Sequence, residues 1–142
     1  NNDEFIMYKF RTMIENKDDS NKSLEDMNRI YPFGRFLRMY RFDEIPQIIN
    51  VIKGNMHIIG PRAEWDKLND TYSSQIPFYK FRYSVKSGIT GWAQVMFRYG
   101  HDSKDAKQKL MYDLYYIKNW SFWLDLEIGL RTFFVILRKR IF

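Results

Sequence analysis

The chain has 142 residues, a formal net charge of +6 at pH 7, many aromatic side chains and no cysteine. This length allows one domain with its own core, and the aromatic content excludes a disordered chain. Disulfides and thiolate metal sites are excluded, and two histidines are too few for a histidine-rich metal cluster. The positive charge favours an anionic partner: nucleic acid, a phosphorylated small molecule or an acidic membrane surface.

Several segments carry helical signals, in the spacing of apolar residues or in flanking Pro and Gly. These predicted helices cover residues 23–30, 35–40, 44–53, 64–73, 106–118 and 122–140. Strands are predicted over residues 5–10 and, short and buried, over residues 57–59. Residues 85–91 are predicted to form a turn-rich loop, where Gly88 and Gly91 permit unusual backbone angles. The predicted fold is a single α/β (α+β) domain over residues 1–142, mainly helical with a small sheet.

Residues 44–53 give the clearest helical signal, because isoleucines recur at positions 45, 48, 49 and 52. Pro46 would lie in the first turn, where a missing N–H is tolerated, and Gly54 would end the helix. Asp43 and Glu44 would then lie at the helix N-terminus. The helix dipole and free N–H groups there stabilise an ionised carboxylate and a bound phosphate.

Asp43 and Glu44 are the candidate catalytic residues. An ionised Asp is the form that attacks phosphorus, and the neighbouring Glu would share a Mg²⁺ ion, which prefers carboxylate and phosphate oxygens. Arg38 and Arg62 would hold phosphate oxygens through forked hydrogen bonds. From these residues alone, the simpler interpretation is favoured: a helix N-terminus that carries acids and surface ion pairs.

Two later positions leave alternatives open. Residues 88–94 form either a ligand loop, with Gln94 and Arg98 near a nucleotide or sugar, or a structural turn around Trp92. Asp113 lies among tyrosines, so it is either a buried hydrogen-bonded acid or a substrate or metal contact. Structural use of Asp113 is slightly favoured, because buried acids are usually paired.

The last segment is apolar and aromatic and then basic. Five consecutive apolar residues at positions 133–137 precede three cations at positions 138–140. This composition favours an amphipathic C-terminal helix in a membrane interface, with tryptophans near the headgroups and cations on anionic lipid. The alternative is an ordinary core helix whose basic end suits its C-terminus.

Blocks along nearly the whole chain resemble the bacterial sugar transferase family, the monotopic phosphoglycosyl transferases that prime bacterial glycan assembly. In chain order, the matching blocks are Lys9-Phe10-Arg11-Thr12-Met13, Gly34-Arg35-Phe36-Leu37-Arg38, Asp43-Glu44-Ile45-Pro46-Gln47 with Asn50, Lys53-Gly54-Asn55-Met56, Ile59-Gly60-Pro61-Arg62, Gly88-Ile89-Thr90-Gly91-Trp92-Ala93-Gln94-Val95, Arg98-Tyr99-Gly100, Lys109-Leu110-Met111-Tyr112-Asp113-Leu114-Tyr115-Tyr116-Ile117-Lys118-Asn119, Asp125 and Thr132. Together and in order, these blocks overturn the simpler interpretation of the acidic pair.

The resemblance implies a two-step reaction. Asp43 attacks the β-phosphate of a UDP-sugar, UMP leaves, and a polyprenyl phosphate, usually undecaprenyl phosphate, takes the phosphosugar from the aspartate. Glu44 would assist through Mg²⁺ or proton handling, and Arg38 and Arg62 would hold phosphates. The implied role is the priming step of exopolysaccharide, capsule, O-antigen or other glycan synthesis at the cytoplasmic face of the bacterial inner membrane.

The resemblance also marks differences. Family members carry a re-entrant membrane hairpin before the block that begins at Lys9, and we expect this chain to lack it. Ala63 stands where the family usually has Pro, which we expect to loosen the placement of Arg62.

Two other functions remain as alternatives. One is a catalytically inactive family member that organises glycan enzymes at an anionic membrane surface. The other is a basic nucleic-acid-binding module, suggested by cations interspersed with aromatic residues. No recognised nucleic-acid motif is present and the cations are spread along the chain, so no nucleic-acid partner is expected.

Overall fold

The computed structural model describes residues 4–14, 29–97 and 103–137. Within these ranges the fold is α/β and mainly helical with one small sheet, which confirms the predicted class. The regular elements, in chain order, are α1 (Pro32–Met39), α2 (Gln47–Ile52), β1 (His57–Ile59), α3 (Asp66–Gln75), β2 (Gly88–Thr90), α4 (Trp92–Met96), α5 (Ser103–Lys118) and α6 (Phe122–Leu137). Two 3₁₀ helices, Phe42–Glu44 and Tyr79–Ser84, lie between them.

The sheet consists of β1 and β2, which pair in parallel with His57 opposite Gly88 and Ile59 opposite Thr90. The predicted bounds of β1 are confirmed, but the predicted burial is wrong, because His57 and Ile58 are exposed. The two strands have only each other as neighbours among the described residues, so β1 is not enclosed.

β2 was predicted to be part of a loop, and this prediction is wrong. A Cβ atom on Gly88 would lie 2.1 Å from the backbone nitrogen of Gly60, so the strands meet here only because the side chain is absent. Gly88 and Gly91 both lack a positive φ. Their glycine character serves close backbone approach rather than unusual angles.

The predicted strand over residues 5–10 is also wrong. The backbone of this segment bonds to a side chain instead of a neighbouring strand. The N–H of Tyr8 donates to Oδ1 of Asn50 at 3.0 Å, and Nδ2 of Asn50 donates to the carbonyl of Ile6 at 2.8 Å. Asn50 is buried in α2, so its amide binds residues 6–8 to the domain.

The predicted helix over residues 44–53 is divided into the 3₁₀ helix Phe42–Glu44 and the shorter α2. Pro46 lies just before α2 and has no N–H to continue a helical ladder from the preceding turn. The predicted end is confirmed, because Gly54 follows the helix with a φ of 75°. The acidic pair therefore lies in a 3₁₀ turn that precedes α2.

The isoleucines at positions 45, 48, 49 and 52 face outward. Between 46% and 80% of the surface of each side chain is exposed. The buried residues of α2 are Gln47 and Asn50. This inverted pattern gives the domain an apolar outer face beside the acidic pair.

The other predicted helices are confirmed with shifted bounds. The segments predicted over residues 35–40, 64–73 and 106–118 correspond to α1, α3 and α5. The helix predicted over residues 122–140 corresponds to α6, and positions 138–140 lie outside the described residues. Most of the helix predicted over residues 23–30 also lies outside them, and its described end, Ile30, forms an antiparallel bridge with Met13.

The apolar core lies between α3, the 3₁₀ helix Tyr79–Ser84 and α5. Its buried members are Ile76, Tyr79, Ala106 and Leu110, with Tyr72, Tyr83 and Leu114 packed against them. A buried ion pair adjoins this core. Nη2 of Arg82 lies 2.8 Å from Oδ2 of Asp113 on α5, and the two side chains are 3% and 1% exposed.

α6 buries little of its apolar surface. Ile128 is fully buried, whereas the large apolar side chains at positions 122, 123, 126, 130, 133, 134 and 137 are exposed. An exposed apolar face of this extent is typical of an interaction surface. Its contact with a membrane interface stays a prediction. Among the described helices, none combines the length and apolar character needed to cross a bilayer.

Breaking the buried pair should destabilise the fold far more than breaking an exposed one. Asp113→Ala would leave the Arg82 charge buried beside its core, and we expect the free energy of unfolding to fall by about 3–5 kcal/mol. Glu127→Ala removes the exposed Glu127–Arg131 pair, and we expect a loss of at most ~1 kcal/mol. Urea denaturation of both variants measures the difference, and equal losses would contradict the structural role of the buried pair.

Candidate active site

The acidic pair lies in the 3₁₀ turn between α1 and α2, and both residues are buried. Asp43 is 3% exposed and Glu44 is 7% exposed. Arg41, which begins the turn, has a φ of 56° in the left-handed region. That conformation reverses the chain after α1 and directs the two acids inward, where each meets a cation.

Lys9 is the cation at Asp43. Its Nζ lies 2.9 Å from Oδ2 of Asp43. The N–H of Phe10 donates to the backbone carbonyl of Asp43 at 3.0 Å, so the segment that carries Lys9 is bound to the turn itself. One carboxylate oxygen of Asp43, Oδ2, is therefore held in place by Lys9.

Arg62 is the principal cation at Glu44. Its Nη2 donates to Oε1 of Glu44 at 2.9 Å, and Nη1 of Arg41 lies 3.6 Å from Oε2. Burial alone would raise the pKa of Glu44. The charges of Arg62, Arg41 and Lys9, with the hydrogen bond from Arg62, hold the pKa below its ordinary value of 4.5. Glu44 is therefore ionised at neutral pH.

The sheet positions Arg62. The chain leaves β1 at Gly60, and the carbonyl of Pro61 accepts a bond from the N–H of Gly88 at 2.9 Å. Arg62 itself bridges to Gly88. The pairing of β1 with β2 thus continues to the residue whose guanidinium reaches Glu44.

A cavity of about 310 Å³ opens beside Glu44. Its walls are mainly apolar, and the hydroxyl groups of Thr90 and Thr132 meet there at 2.8 Å. Its lining residues are Tyr40, Arg41, Phe42, Glu44, Ile45, Ile48, Ile89, Thr90, Gln94, Val95, Thr132, Val135 and Ile136. An apolar cavity with a few convergent polar groups is typical of a small-molecule site.

Gln94 lies in the wall of this cavity, so the structure brings it together with Glu44. Its amide nitrogen donates to the carbonyl of Ile89 at 2.9 Å, and its Oε1 is buried without a hydrogen bond from any described residue. Its contact with nucleotide or sugar stays a prediction. Arg98, predicted beside it, lies outside the described residues.

The remaining two predicted residues lie apart from the acidic turn. Arg38 is half-buried on α1, and no carboxylate among the described residues forms an ion pair with it. Asp113 is buried in its pair with Arg82, which corresponds to the structural alternative. Substrate contact by either residue stays a prediction.

Lys9, Arg41 and Arg82 were not among the predicted site residues. Lys9 belongs to a sequence block that we used for the family resemblance, but a lysine far away in sequence carries no local sign of its partner. Arg41 stands close to the acidic pair in the sequence, but its contact with Glu44 was not predicted. Its cationic contact depends on the left-handed turn, which sequence spacing does not reveal.

The acidic side chains of the site can be compared with those that bind Mg²⁺ in proteins. No cluster of three carboxylate, histidine or cysteine side chains that could hold a metal ion occurs in the described ranges. Mg²⁺ has another binding mode, in which one or two carboxylates and substrate phosphate oxygens share the ion. Asp43 and Glu44 are such a pair and fit an ion that arrives with a diphosphate. Magnesium binding stays a prediction.

Comparison with known proteins shows which family and which proteins this chain is similar to. The family described as "Bacterial sugar transferase" matches residues 1–139. The chain is 43% identical over 139 residues to the UDP-N-acetylgalactosamine-undecaprenyl-phosphate N-acetylgalactosaminephosphotransferase of Aeromonas hydrophila. It is 42% identical over 134 residues to the UDP-glucose:undecaprenyl-phosphate glucose-1-phosphate transferase of Xanthomonas campestris pv. campestris.

The two alignments cover most of this chain and a smaller part of each relative. The first covers 96% of the chain and 33% of the Aeromonas protein. The second covers 91% of the chain and 28% of the Xanthomonas protein. The chain therefore spans about a third or less of the length of these curated relatives.

Removing the guanidinium of Arg62 should raise the pKa of Glu44. Because this pKa is lowered in the folded state, Glu44 stabilises the fold above pH 4.5 and loses that contribution as the pH falls through the folded pKa. In Arg62→Ala the contribution should shrink, and the carboxyl should titrate at higher pH. A ¹³C NMR titration of Glu44 measures this shift. Arg131→Ala, at an exposed ion pair, should leave the titration unchanged, and an unmoved pKa in Arg62→Ala would contradict the assigned pairing.

Proposed function

Because the chain belongs to the bacterial sugar transferase family, we propose that it transfers a sugar 1-phosphate from a UDP-sugar to undecaprenyl phosphate or another polyprenyl phosphate, releasing UMP. The observation that carries this proposal is the buried Asp43–Glu44 turn. Each acid is bound by a cation, and the turn adjoins an apolar cavity. The two relatives described above are named for reactions of this type.

In the first step, Oδ1 of Asp43 attacks the β-phosphorus of the UDP-sugar. A bond forms between this oxygen and phosphorus, the bond from phosphorus to the bridging oxygen breaks, and the bridging oxygen leaves with UMP. Lys9 holds Oδ2, which fixes the direction of the attacking oxygen. A covalent aspartyl-phosphosugar intermediate divides one difficult transfer into two easier ones.

In the second step, an oxygen of the polyprenyl phosphate attacks the same phosphorus, and the carboxylate of Asp43 leaves. Charge on the phosphoryl oxygens grows in both steps, and Arg62 lies where its guanidinium can stabilise that charge. Glu44 holds Arg62 in place. Its lowered pKa suits the binding of cations better than the donation of a proton.

Asp43 and Glu44 would hold a Mg²⁺ ion together with diphosphate oxygens of the substrate. When bound, the ion would neutralise negative charge on the diphosphate and on the departing nucleotide. The side chains themselves provide the nucleophile, the cations at each acid and a buried setting. Low solvent exposure strengthens each of these electrostatic contacts.

The acceptor requires apolar surface as well as a phosphate site. Ile48 of α2, with Val135 and Ile136 of α6, lines the cavity beside Glu44, and these side chains would accommodate the lipid close to its phosphate. The exposed apolar face of α6 would lie in an anionic membrane surface. We place the reaction at the cytoplasmic face of the bacterial inner membrane, as the priming step of glycan synthesis.

Release of UMP tests the first half of this function directly. The chain is incubated with Mg²⁺ and a panel of UDP-sugars, and the substrate that yields UMP identifies the sugar. Asp43→Asn removes the nucleophile and should reduce release to background, a loss of at least about 10³-fold. Asp70→Asn changes an exposed aspartate on α3 and should retain full release. Equal release by Asp43→Asn and the wild type would exclude Asp43 as the nucleophile.

Dependence on Mg²⁺ tests the proposed metal role. EDTA should abolish UMP release, and added Mg²⁺ should restore it. Glu44→Gln removes one anionic ligand, so the Mg²⁺ concentration that gives half-maximal release should rise roughly tenfold or more. Glu127→Gln, on the exposed surface of α6, serves as the matched control. Full release in EDTA would rule out the metal.

A further inference from the structure

Arg82 is a buried cation that joins three parts of the chain. It lies in the 3₁₀ helix Tyr79–Ser84 and is 3% exposed. Its Nη2 lies 2.8 Å from Oδ2 of Asp113 on α5, and its Nη1 lies 3.7 Å from Oε1 of Glu64, which follows β1. The guanidinium also contacts the ring of Tyr79, with 5.1 Å between the guanidinium carbon and the ring centroid.

One further bond leaves this cluster and reaches the candidate active site. Nη2 of Arg82 donates to the backbone carbonyl of Arg62 at 3.0 Å. The side chain of Arg62 is the one that donates to Glu44. A continuous set of contacts therefore runs from Asp113 through Arg82 and Arg62 to the acidic turn.

This bond acts on backbone that is already held from its other side. The carbonyl of Pro61 is fixed by the N–H of Gly88 on β2, and Arg82 fixes the next carbonyl. Ala63 follows, without the rigid ring of a proline. The hydrogen bond from Arg82 supplies a constraint that local sequence does not.

We propose that Arg82, anchored by Asp113, is a positioning residue that fixes the backbone of Arg62 so that its guanidinium meets Glu44 and the substrate phosphate. The expected effect of Arg82 on the rate of UMP release rests on the proposed function. Its expected effect on the placement of the Arg62 side chain does not. The sequence left open whether Asp113 contacts substrate. In this proposal it acts on the site through Arg82.

Arg82→Lys is the informative substitution, because it keeps the buried charge. A guanidinium is a planar fork whose two terminal nitrogens serve different partners, whereas an ammonium is a single point donor. Nη2 lies near both Asp113 and the Arg62 carbonyl, and Nη1 serves Tyr79 and Glu64. A lysine side chain is one bond shorter, so its ammonium ends near the position of the guanidinium carbon. It keeps a positive charge beside Asp113 but does not reach the position from which Nη2 donates to the Arg62 carbonyl. The matched control is Tyr83→Phe, which keeps the aromatic ring beside the guanidinium and leaves the contacts of Nη2 with Asp113 and the Arg62 carbonyl in place.

The first test needs no catalytic activity. The rate of rotation about the Nε–Cζ bond of Arg62 is measured by ¹⁵N NMR, with its signal assigned by loss in Arg62→Lys. We expect slow rotation in the wild type and in Tyr83→Phe, and rotation near that of a solvent-exposed arginine in Arg82→Lys. Slow rotation in a folded Arg82→Lys would overturn the proposal. If that variant does not fold, Asp113→Asn should speed the rotation in the same way, and unchanged rotation there would equally overturn it.

The second test is a double-mutant cycle on kcat/KM for UMP release. Arg82→Lys should lower kcat/KM by roughly tenfold to a hundredfold, mainly through kcat, because it misplaces a group that acts in the transition state. If Arg82 acts through Arg62, then Arg82→Lys should add no further loss in an Arg62→Ala background. If the loss in kcat/KM of the double variant instead equals the product of the two single-variant losses, Arg82 acts independently of Arg62. That result would overturn the proposal. A wild-type chain that releases no UMP would refute the proposed function, and the NMR test would still decide the role of Arg82.

Discussion

Two adjacent carboxylates buried in one turn form the constraint on which the rest of the structure depends. Asp43 and Glu44 lose hydration and repel each other, so each needs a cation that the turn itself does not fully provide. Lys9 arrives from the N-terminal segment, held there by Asn50, and Arg62 arrives from the end of β1. The packing of these segments therefore also brings the residues of the candidate site together.

Polar residues are buried elsewhere in this domain as well. Arg82 and Asp113 form a second buried ion pair beside the aromatic core, and one bond from that pair reaches the backbone of Arg62. Apolar side chains are displaced to the outside, where the isoleucines of α2 and the face of α6 are exposed. Buried charges beside an exposed apolar face suit a protein that handles phosphates next to lipid.

Sequence patterns correctly predicted the elements that depend mainly on neighbouring residues in the chain. Apolar spacing identified α5 and α6, and Gly54 identified the end of α2. The strand β2 was missed because Gly88 was interpreted by its backbone freedom, whereas its lack of a side chain lets Gly60 approach. Lys9 and Arg82 were missed because their partners are far away in sequence. The acidic pair and Arg62 were predicted as site residues from the residue types and the family resemblance together, although the residues alone favoured an ordinary helix start.

The proposed covalent attachment of phosphosugar to Asp43 can be measured by mass spectrometry of the protein. The chain is incubated with the reactive UDP-sugar and no polyprenyl phosphate, quenched in acid, and measured intact and after proteolysis. Our prediction is an added mass equal to one sugar phosphate, located on Asp43 and lost when polyprenyl phosphate is supplied. UMP release from a chain that gains no mass, or added mass on another residue, would contradict it.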